Sequence, residues 1–168
     1  MIFVTVGTHE APFDRLIREI DKLVGIKMIT EEVVAQIGYG TYIPESIKWK
    51  RFYSYDETQE LAKNCRILIT HGGPSSFVMG LSNNKVPIVV PRRKDMHEHV
   101  NDHQVKFCHE VEKRQHNIIV IDNISDLASA IINYDHIVEN MSGTLIRNNE
   151  KFCSDLELIV KDLIKKGS

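Results

Sequence analysis

Short apolar runs alternate along the chain with longer segments in which apolar residues recur every three or four positions. The runs are rich in Val and Ile and lack apolar–polar alternation, which is typical of parallel strands covered on both faces. Six strands are predicted: Ile2–Val6, Val33–Ile37, Ile47–Phe52, Ile67–Thr70, Val86–Val90 and Ile118–Ile121. Strands that alternate with helices predict an α/β fold with a single Rossmann-like, doubly wound parallel sheet.

Residues suited to helix N-termini stand before several of the helix-like segments. Pro12 and Pro74 each suit the first position of a helix. Asp56 followed three residues later by Gln59 resembles a capping box, and Ser125 precedes another apolar stripe in a similar way. These residues predict where four of the helices begin.

The last part of the chain has a different pattern. From Leu145 to Leu163, apolar residues recur at alternating four- and three-residue spacing, which predicts a long amphipathic helix from about Met141 to Lys166 with a coiled-coil-like seam. This helix either packs on its own sheet or contacts a partner. We therefore expect a Rossmann-like nucleotide-sugar-binding domain over 1–135 and a helical extension over 136–168.

Charge and cysteine content narrow the class of protein. The 168 residues carry a formal charge of −2, so no basic excess indicates nucleic acid as a partner. No apolar run approaches the roughly 20 residues that cross a bilayer. The N-terminus lacks a basic leader and predicts a strand instead of a signal peptide. Cys65, Cys108 and Cys153 form no C-x-x-C motif, which favours reduced thiols in a cytoplasmic protein.

The glycine-rich segment after the fourth predicted strand is the strongest candidate for a binding site. Parallel sheets bind ligands beyond the carboxyl ends of their strands. Here two glycines allow a tight turn, and a proline at the first helical position leaves the following N–H groups and hydroxyls near the helix start, which suits a diphosphate. The residues are His71, Gly72, Gly73, Pro74, Ser75 and Ser76. A plain glycine turn is the alternative, and the Walker signature is absent.

Two further loops follow predicted strands. Gly7, Thr8 and His9 follow the first strand and offer close approach, a hydroxyl and an imidazole. The segment Pro91–Gln104 begins with three basic residues suited to a phosphate or an anionic surface, with Arg92 first. It ends with hydrogen-bonding groups suited to sugar hydroxyls, namely Asp102, His103 and Gln104.

The same segment has a rival interpretation as a metal site. It contains several side chains that could ligate zinc: His97, Glu98, His99, Asp102 and His103. They resemble the H-x-H-x-D-H pattern of metallo-hydrolases, but one extra residue separates His99 from Asp102, and no H-E-x-x-H order is present. We therefore predict neither a metal ion nor another cofactor.

Taken in order, these stretches resemble the C-terminal, donor-binding domain of glycosyltransferase family 28, one half of a GT-B fold. The resemblance is closest to stand-alone versions of that domain: the catalytic subunit of the dolichol-linked N-acetylglucosamine transferase, and bacterial capsule and exopolysaccharide β-1,4-galactosyltransferase subunits. The matching stretches are Val4–Thr8, Phe13–Ile17, Gln36–Gly40, Ile69–Ser76, Val86–Arg92 and His99–Gln104.

The resemblance implies a role for each loop. Gly7 and Thr8 are expected to face the diphosphate of a UDP-sugar, with the glycine-rich segment opposite. The loop from Phe52 to Tyr55 is expected to hold the uracil, and the segment 102–104 the transferred sugar. The family usually has a glutamate for the ribose hydroxyls on the helix after the glycine turn, where this chain has Met79.

The resemblance also implies an activity that needs a second protein. It points to the donor-binding catalytic subunit of an inverting transferase that moves galactose or N-acetylglucosamine from UDP to a lipid-linked acceptor in polysaccharide biosynthesis. A membrane-anchored, acceptor-binding partner subunit would recruit this cytoplasmic chain to the inner face of the membrane. No D-x-D triplet is present and no residue is identified as the general base. A non-catalytic enhancer subunit, an epimerase and a metallo-hydrolase stay open as alternatives.

Overall fold

The structure, a computed structural model, describes residues 1–141. Within them six strands form one parallel sheet in the order β3-β2-β1-β4-β5-β6. Its strands are β1 (Ile2–Thr5), β2 (Val33–Gln36), β3 (Lys48–Lys50), β4 (Ile67–His71), β5 (Ile88–Val90) and β6 (Ile119–Val120). The predicted strands and the Rossmann-like fold class are therefore confirmed, and the strand order is that of a dinucleotide-binding sheet.

Helices follow five of the six strands. Their bounds are α1 (Asp14–Gly25), α2 (Tyr55–Asn64), α3 (Pro74–Ser82), α4 (His103–Gln115), α5 (Leu127–Ile132) and α6 (Tyr134–Asn140). The last two follow a short 3₁₀ turn over Ile124–Asp126. The prediction that Pro74 is the first residue of its helix is confirmed.

Three of the predicted helix starts are wrong by one or two residues. Pro12 lies in the loop before α1, which begins at Asp14. The capping box of α2 is formed by Ser54 and Glu57, because the Ser54 hydroxyl accepts from the Glu57 N–H while the Glu57 carboxylate accepts from the Ser54 N–H. Ser125 lies in the 3₁₀ turn before α5.

Side chains that alternate along the strands build a core on each face of the sheet. Ile2, Val4 and Val6 pack against apolar residues of α1 and α5 on one face. Phe3 and Leu68 pack toward α2 on the other face, where Val89 meets the apolar residues of α3 and α4. Both faces are therefore covered, as the unbroken apolar strands predict.

The predicted boundary at residues 135 and 136 falls inside α6, and the long helix predicted from about Met141 to Lys166 lies outside the described residues except for its first position. The division into two parts stays a prediction. Within residues 1–141, no helix has the length and apolar character needed to cross a membrane.

Candidate functional site

The candidate site lies at the carboxyl ends of β1 and β4, where the direction of strand succession reverses. The chain runs from β1 outward to β2 and β3, and then returns to place β4 on the other side of β1. Loops that follow β1 and β4 therefore leave the sheet in opposite directions and open a crevice between them. Two of the predicted loops, Gly7–His9 and His71–Ser76, meet at this crevice.

Gly7 and Gly73 are required by the position of one imidazole ring. A Cβ atom on either residue would overlap the ring of His71. Gly7 also has a φ of +73°, a conformation that strains residues with a side chain. The sequence predicts that the backbone at these glycines lies close to a ligand. In the structure it lies close to the His71 ring, so the loop after β1 (the β1 loop) packs against the turn after β4 (the β4 turn).

His71 is held in one tautomer. Its Nδ1 accepts a hydrogen bond from the Gly73 N–H at 3.0 Å, and its Nε2 lies 2.9 Å from the Ser76 hydroxyl. Burial, with a further contribution from the charge of Arg92, lowers the pKa of His71 to about 4. At neutral pH the ring is therefore uncharged, with its single proton on Nε2, where it donates to Ser76.

Ser76 consequently has its own proton available. Its Oγ accepts from His71, so its O–H can donate to a ligand in the crevice. Ser75 is exposed beside it, and Pro74 is the first residue of α3. The first turn of a helix has N–H groups without intrahelical partners and carries a partial positive charge. This arrangement suits the phosphate groups that the sequence predicts here.

Gln36, for which the sequence predicts no role, connects two loops of the site. This buried residue at the end of β2 donates through Nε2 to the Gly7 carbonyl at 3.1 Å. Its Oε1 accepts from the N–H of Tyr53 at 3.1 Å. Gln36 therefore fixes the β1 loop relative to the turn that follows β3. Its place within a matching stretch, Gln36–Gly40, was the available signal.

Arg92 lies in a different environment from the one predicted. Its side chain is fully buried, and its Nη atoms donate to main-chain carbonyl oxygens, including those of Val6 at 2.9 Å and Ala11 at 2.8 Å. Burial lowers its pKa to about 10, so the guanidinium remains charged at neutral pH. Arg92 thus stabilises the loop after β1 from a buried position. The direct phosphate contact predicted for Arg92 does not fit this burial.

His9 lies at the exposed edge of the crevice with a second imidazole beside it. The rings of His9 and His99 are 4.9 Å apart between centroids. The Nδ1 of His9 accepts from the Ala11 N–H at 3.0 Å, so in the neutral ring the proton is on Nε2. Burial, followed by the charges of Arg92 and His99, lowers the pKa of His9. In this geometry neutral His9 can donate a hydrogen bond from Nε2.

The segment predicted to hold the sugar, residues 102–104, joins the loop after β5 to α4. Asp102 accepts from the Lys94 N–H at 2.9 Å, and His103 is the exposed first residue of α4. Gln104 accepts from the Arg92 N–H at 3.3 Å, and its Cβ would lie 2.9 Å from a Cβ on Gly72. Gln104 is therefore beside the glycine turn, while Asp102 and His103 lie at the outer edge of the loop.

Exposed aromatic side chains follow β2 and β3. Tyr55, predicted near the uracil, is 77% exposed at the start of α2. The rings of Tyr39 and Phe52 meet edge to face with centroids 5.1 Å apart, and both are exposed. Tyr39 has no predicted role, although the Gln36–Gly40 stretch contains it. A Cβ on Gly38 would contact both the Phe52 ring and the Gly7 carbonyl, so the Tyr39–Phe52 pair lies near the loop after β1.

The rival metal interpretation has no geometric support among the described residues. Within residues 1–141, no three His, Cys, Asp or Glu side chains are grouped so that they could hold a metal ion. Glu98, one of the candidate ligands, instead forms a bidentate ion pair with Arg15 at 2.9 Å.

Comparison with known proteins identifies the family. The profile of the glycosyltransferase family 28 C-terminal domain matches residues 1–162. The chain belongs to this family. No curated protein sequence matches it.

Solved structures show the same fold at low sequence identity. The glycotransferase of kitacinnamycin is 17% identical with a TM-score of 0.59, over 98% of this chain and 42% of that one. The spinosyn forosaminyltransferase SpnP is 13% identical with a TM-score of 0.55, over 98% of this chain and 39% of that one. The family 28 domain therefore has the fold of the C-terminal half of a GT-B glycosyltransferase. It spans about two fifths of the length of these two enzymes.

Met79 is the residue in which this family 28 domain departs from the expected pattern. It lies on α3 and is half-buried against an apolar cluster that includes Phe3, Ala62 and Leu68. Its thioether cannot accept the hydrogen bonds that a carboxylate would take from ribose hydroxyls. An apolar side chain is consistent with these neighbours, so the local packing accounts for the methionine without a ligand.

Proposed function

We propose that the chain is the donor-binding catalytic subunit of a two-component inverting glycosyltransferase. It would bind a UDP-sugar, carrying galactose or N-acetylglucosamine, and transfer the sugar to a lipid-linked acceptor in polysaccharide biosynthesis. The supporting observation is the meeting of the Gly7–His9 loop and the His71–Ser76 turn at the switch point of the sheet. No cofactor enters this proposal.

The electrostatics of the crevice favour an anionic ligand. The charge of Arg92 contributes to the lowered pKa of both His9 and His71, which means that a positive potential reaches both loops. The N-terminus of α3 and the Ser76 hydroxyl add donors without adding a full charge. In the transfer step, negative charge develops on the leaving UDP, and donors that are already in place stabilise this charge without reorganisation.

A partner is part of the proposal because a GT-B site closes between two domains. The family 28 domain corresponds to 42% of one such enzyme and 39% of another. We infer that a membrane-anchored partner subunit supplies the acceptor side and the general base, and that it recruits this chain to the cytoplasmic face of the membrane. Residues 102–104 would contact the transferred sugar, and Tyr55 the uracil.

Thermal unfolding with and without UDP tests donor binding. A ligand that binds only the folded chain stabilises it by about 2.7 kcal/mol at a hundredfold excess over Kd. We expect a rise in Tm that EDTA does not change and that Ser76→Ala reduces. A rise that EDTA reverses would favour a metal-dependent enzyme. If millimolar UDP leaves Tm unchanged, both alone and with the partner present, the donor-binding proposal is wrong.

Met79 supports a second candidate, a non-catalytic subunit that stabilises or enhances a transferase. Such a subunit would need the fold and the partner surface but not the ribose contact that Met79 cannot make. It would bind its partner and raise the activity of that partner, yet show no affinity for UDP. The same UDP titration therefore separates the two candidates.

A further inference from the structure

A buried ion pair connects α1 to the loop after β5. Arg15 donates from Nε to Oε1 of Glu98 and from Nη2 to Oε2, both at 2.9 Å. The same Nη2 also donates to the Pro91 carbonyl at 3.1 Å. The side chains of Arg15 and Glu98 are only 14% and 6% exposed. Two planar groups joined by parallel charged hydrogen bonds have a fixed relative orientation.

Glu98 also organises its own loop. Its Oε2 accepts from the Arg93 N–H at 3.1 Å, and its main-chain carbonyl accepts from Nη1 of Arg92 at 3.1 Å. Because Arg92 in turn donates to the Val6 carbonyl, the loops after β1 and β5 are joined through one buried network. We call residues 92–102 the β5 loop.

Side chains of the β5 loop form part of one wall of the crevice. His99, the residue after Glu98, places its ring against that of His9. Asp102 closes the loop by accepting from the Lys94 N–H, directly before α4 begins. The opposite wall is formed by the glycine turn and α3, and its hydrogen bonds among His71, Gly73 and Ser76 do not involve Arg15 or Glu98. A change at Glu98 should therefore disturb the β5 loop directly and leave the hydrogen bonds within the glycine turn in place.

Stability alone does not account for a buried pair of this kind. Apolar residues of similar size often stabilise a fold as well or better, because both charges lose their hydration. Nη1 of Arg15 is buried without a hydrogen-bond partner, which adds to that cost. Unlike an apolar pair, the ion pair makes directional hydrogen bonds that fix the orientation of the β5 loop relative to α1.

We infer that Arg15 and Glu98 are positioning residues that orient the β5 loop toward the sugar of the donor, so that they affect recognition of the sugar and not of UDP. This inference rests on the proposed function. It assigns sugar selectivity to the β5 loop and diphosphate binding to the His71–Ser76 turn. Neither Arg15 nor Glu98 contacts the ligand itself.

Calorimetric titration of the full chain with UDP, UDP-galactose and UDP-N-acetylglucosamine tests the inference. Glu98→Gln keeps the shape of the side chain but replaces one acceptor with a donor, opposite Arg15. We expect its Kd for UDP to stay within about twofold of the wild type. Its Kd for the sugar nucleotide that the wild type prefers should rise about tenfold, the loss expected for one charged hydrogen bond. Equal weakening of both ligands, or of neither, would overturn the inference.

Two further variants make the result specific. Arg15→Lys retains the charge but not the planar fork, so it should reproduce the selective loss and serves if Glu98→Gln does not fold. Glu32→Gln, which removes an exposed ion pair with Lys48 at the far edge of the sheet, should leave all three affinities unchanged.

Limited trypsin digestion provides a readout without any ligand. Arg93 and Lys94 lie within the β5 loop, and Lys94 is exposed. We expect Glu98→Gln to speed cleavage after these two residues severalfold and Glu32→Gln to leave it unchanged. Unchanged cleavage in Glu98→Gln would show that the pair does not hold the loop, which overturns the inference. Absence of UDP binding by the wild type, with faster cleavage in the variant, would instead overturn the proposed function and with it the role in sugar recognition.

Discussion

The imidazole of His71 accepts a hydrogen bond at Nδ1 from the N–H of Gly73, two residues further along the chain, at 3.0 Å. This short-range contact determines where the ring proton lies and therefore what Ser76 can do. With Nδ1 occupied as an acceptor, neutral His71 can only donate from Nε2, and Ser76 must accept. His71 is thus suited to orienting a hydroxyl. It is not suited to act as a general base, because its lone pair already accepts from the Gly73 N–H.

The lowered pKa of His71 predicts a pH-dependent stability. The unfolded chain takes up this proton near pH 6.5, whereas the folded chain does so only near pH 4. Since the unfolded state binds more protons between these values, the contribution is complete above pH 6.5 and is lost as the pH falls toward 4. We expect the free energy of unfolding to decrease by about 3 kcal/mol over this interval from His71 alone.

Urea denaturation at several pH values measures this effect, with His71→Asn as the reference. The Asn amide can still accept from the Gly73 N–H but does not titrate in this range. Carboxylates such as Glu31 and Asp95, whose pKa is lowered by their arginine partners, affect both proteins equally. The difference between the two curves should therefore isolate His71. Parallel curves would show that its imidazole is not buried as described.

The two serines at the start of α3 should respond differently to removal of the hydroxyl. Ser76→Ala removes the hydroxyl that lies 2.9 Å from the buried Nε2 of His71, which should cost about 1–3 kcal/mol of stability and weaken UDP binding. Ser75 is exposed, so Ser75→Ala should weaken UDP binding about tenfold and leave Tm of the free chain unchanged. Chemical denaturation and calorimetry separate these effects, and equal stability losses in both variants would contradict the assigned tautomer.

Much of the fold follows from local patterns, and the candidate site follows from them only in part. Apolar runs such as Ile67–Thr70 identify strands because full burial removes the alternation of polar residues. Pro74 marks a helix start because its missing N–H has no intrahelical partner to lose. The glycine turn can be identified from the sequence because the strand, the glycines and the helix start are adjacent in it.

Features that depend on distant residues were not visible in this way. Arg15 and Glu98 are 83 positions apart, and nothing in the spacing of either residue indicates the other. Basic residues in loops usually face solvent, so the sequence predicts a phosphate contact for Arg92. In the structure four main-chain carbonyls accept hydrogen bonds from its guanidinium instead. Asp56 and Ser54 have similar capping preferences, and the sequence therefore predicts the capping box of α2 two residues too late.

Gly7 offers a test of the contact between the β1 loop and the β4 turn. An alanine at Gly7 would have to adopt a φ of +73° and displace the His71 ring, so we expect Gly7→Ala to lose about 1–2 kcal/mol of stability or more. UDP binding should be lost with the displaced ring. Gly25→Ala is the matched control at the end of α1, where the new Cβ would lie 3.1 Å from the Ser46 hydroxyl, a side chain that can rotate away.

Thermal unfolding with and without UDP measures both glycine variants. Gly25→Ala should stay within about 0.5 kcal/mol of the wild type, as surface substitutions usually do, and retain its shift with UDP. A Gly7→Ala protein that binds UDP as well as the wild type would show that the β1 loop does not contribute to the site.

Met79 decides between the catalytic subunit and the enhancer. If uridine lies along α3, Met79→Glu should supply the missing acceptor for the ribose hydroxyls and tighten UDP binding about tenfold. The gain should be absent with 2′,3′-dideoxy-UDP and in the isosteric Met79→Leu variant, since neither combination can form the contact. Calorimetry that shows the same gain for both nucleotides would place the ribose elsewhere. If Met79→Glu binds UDP and the wild type does not, the native methionine has removed donor binding, and the enhancer function becomes the better explanation of the chain.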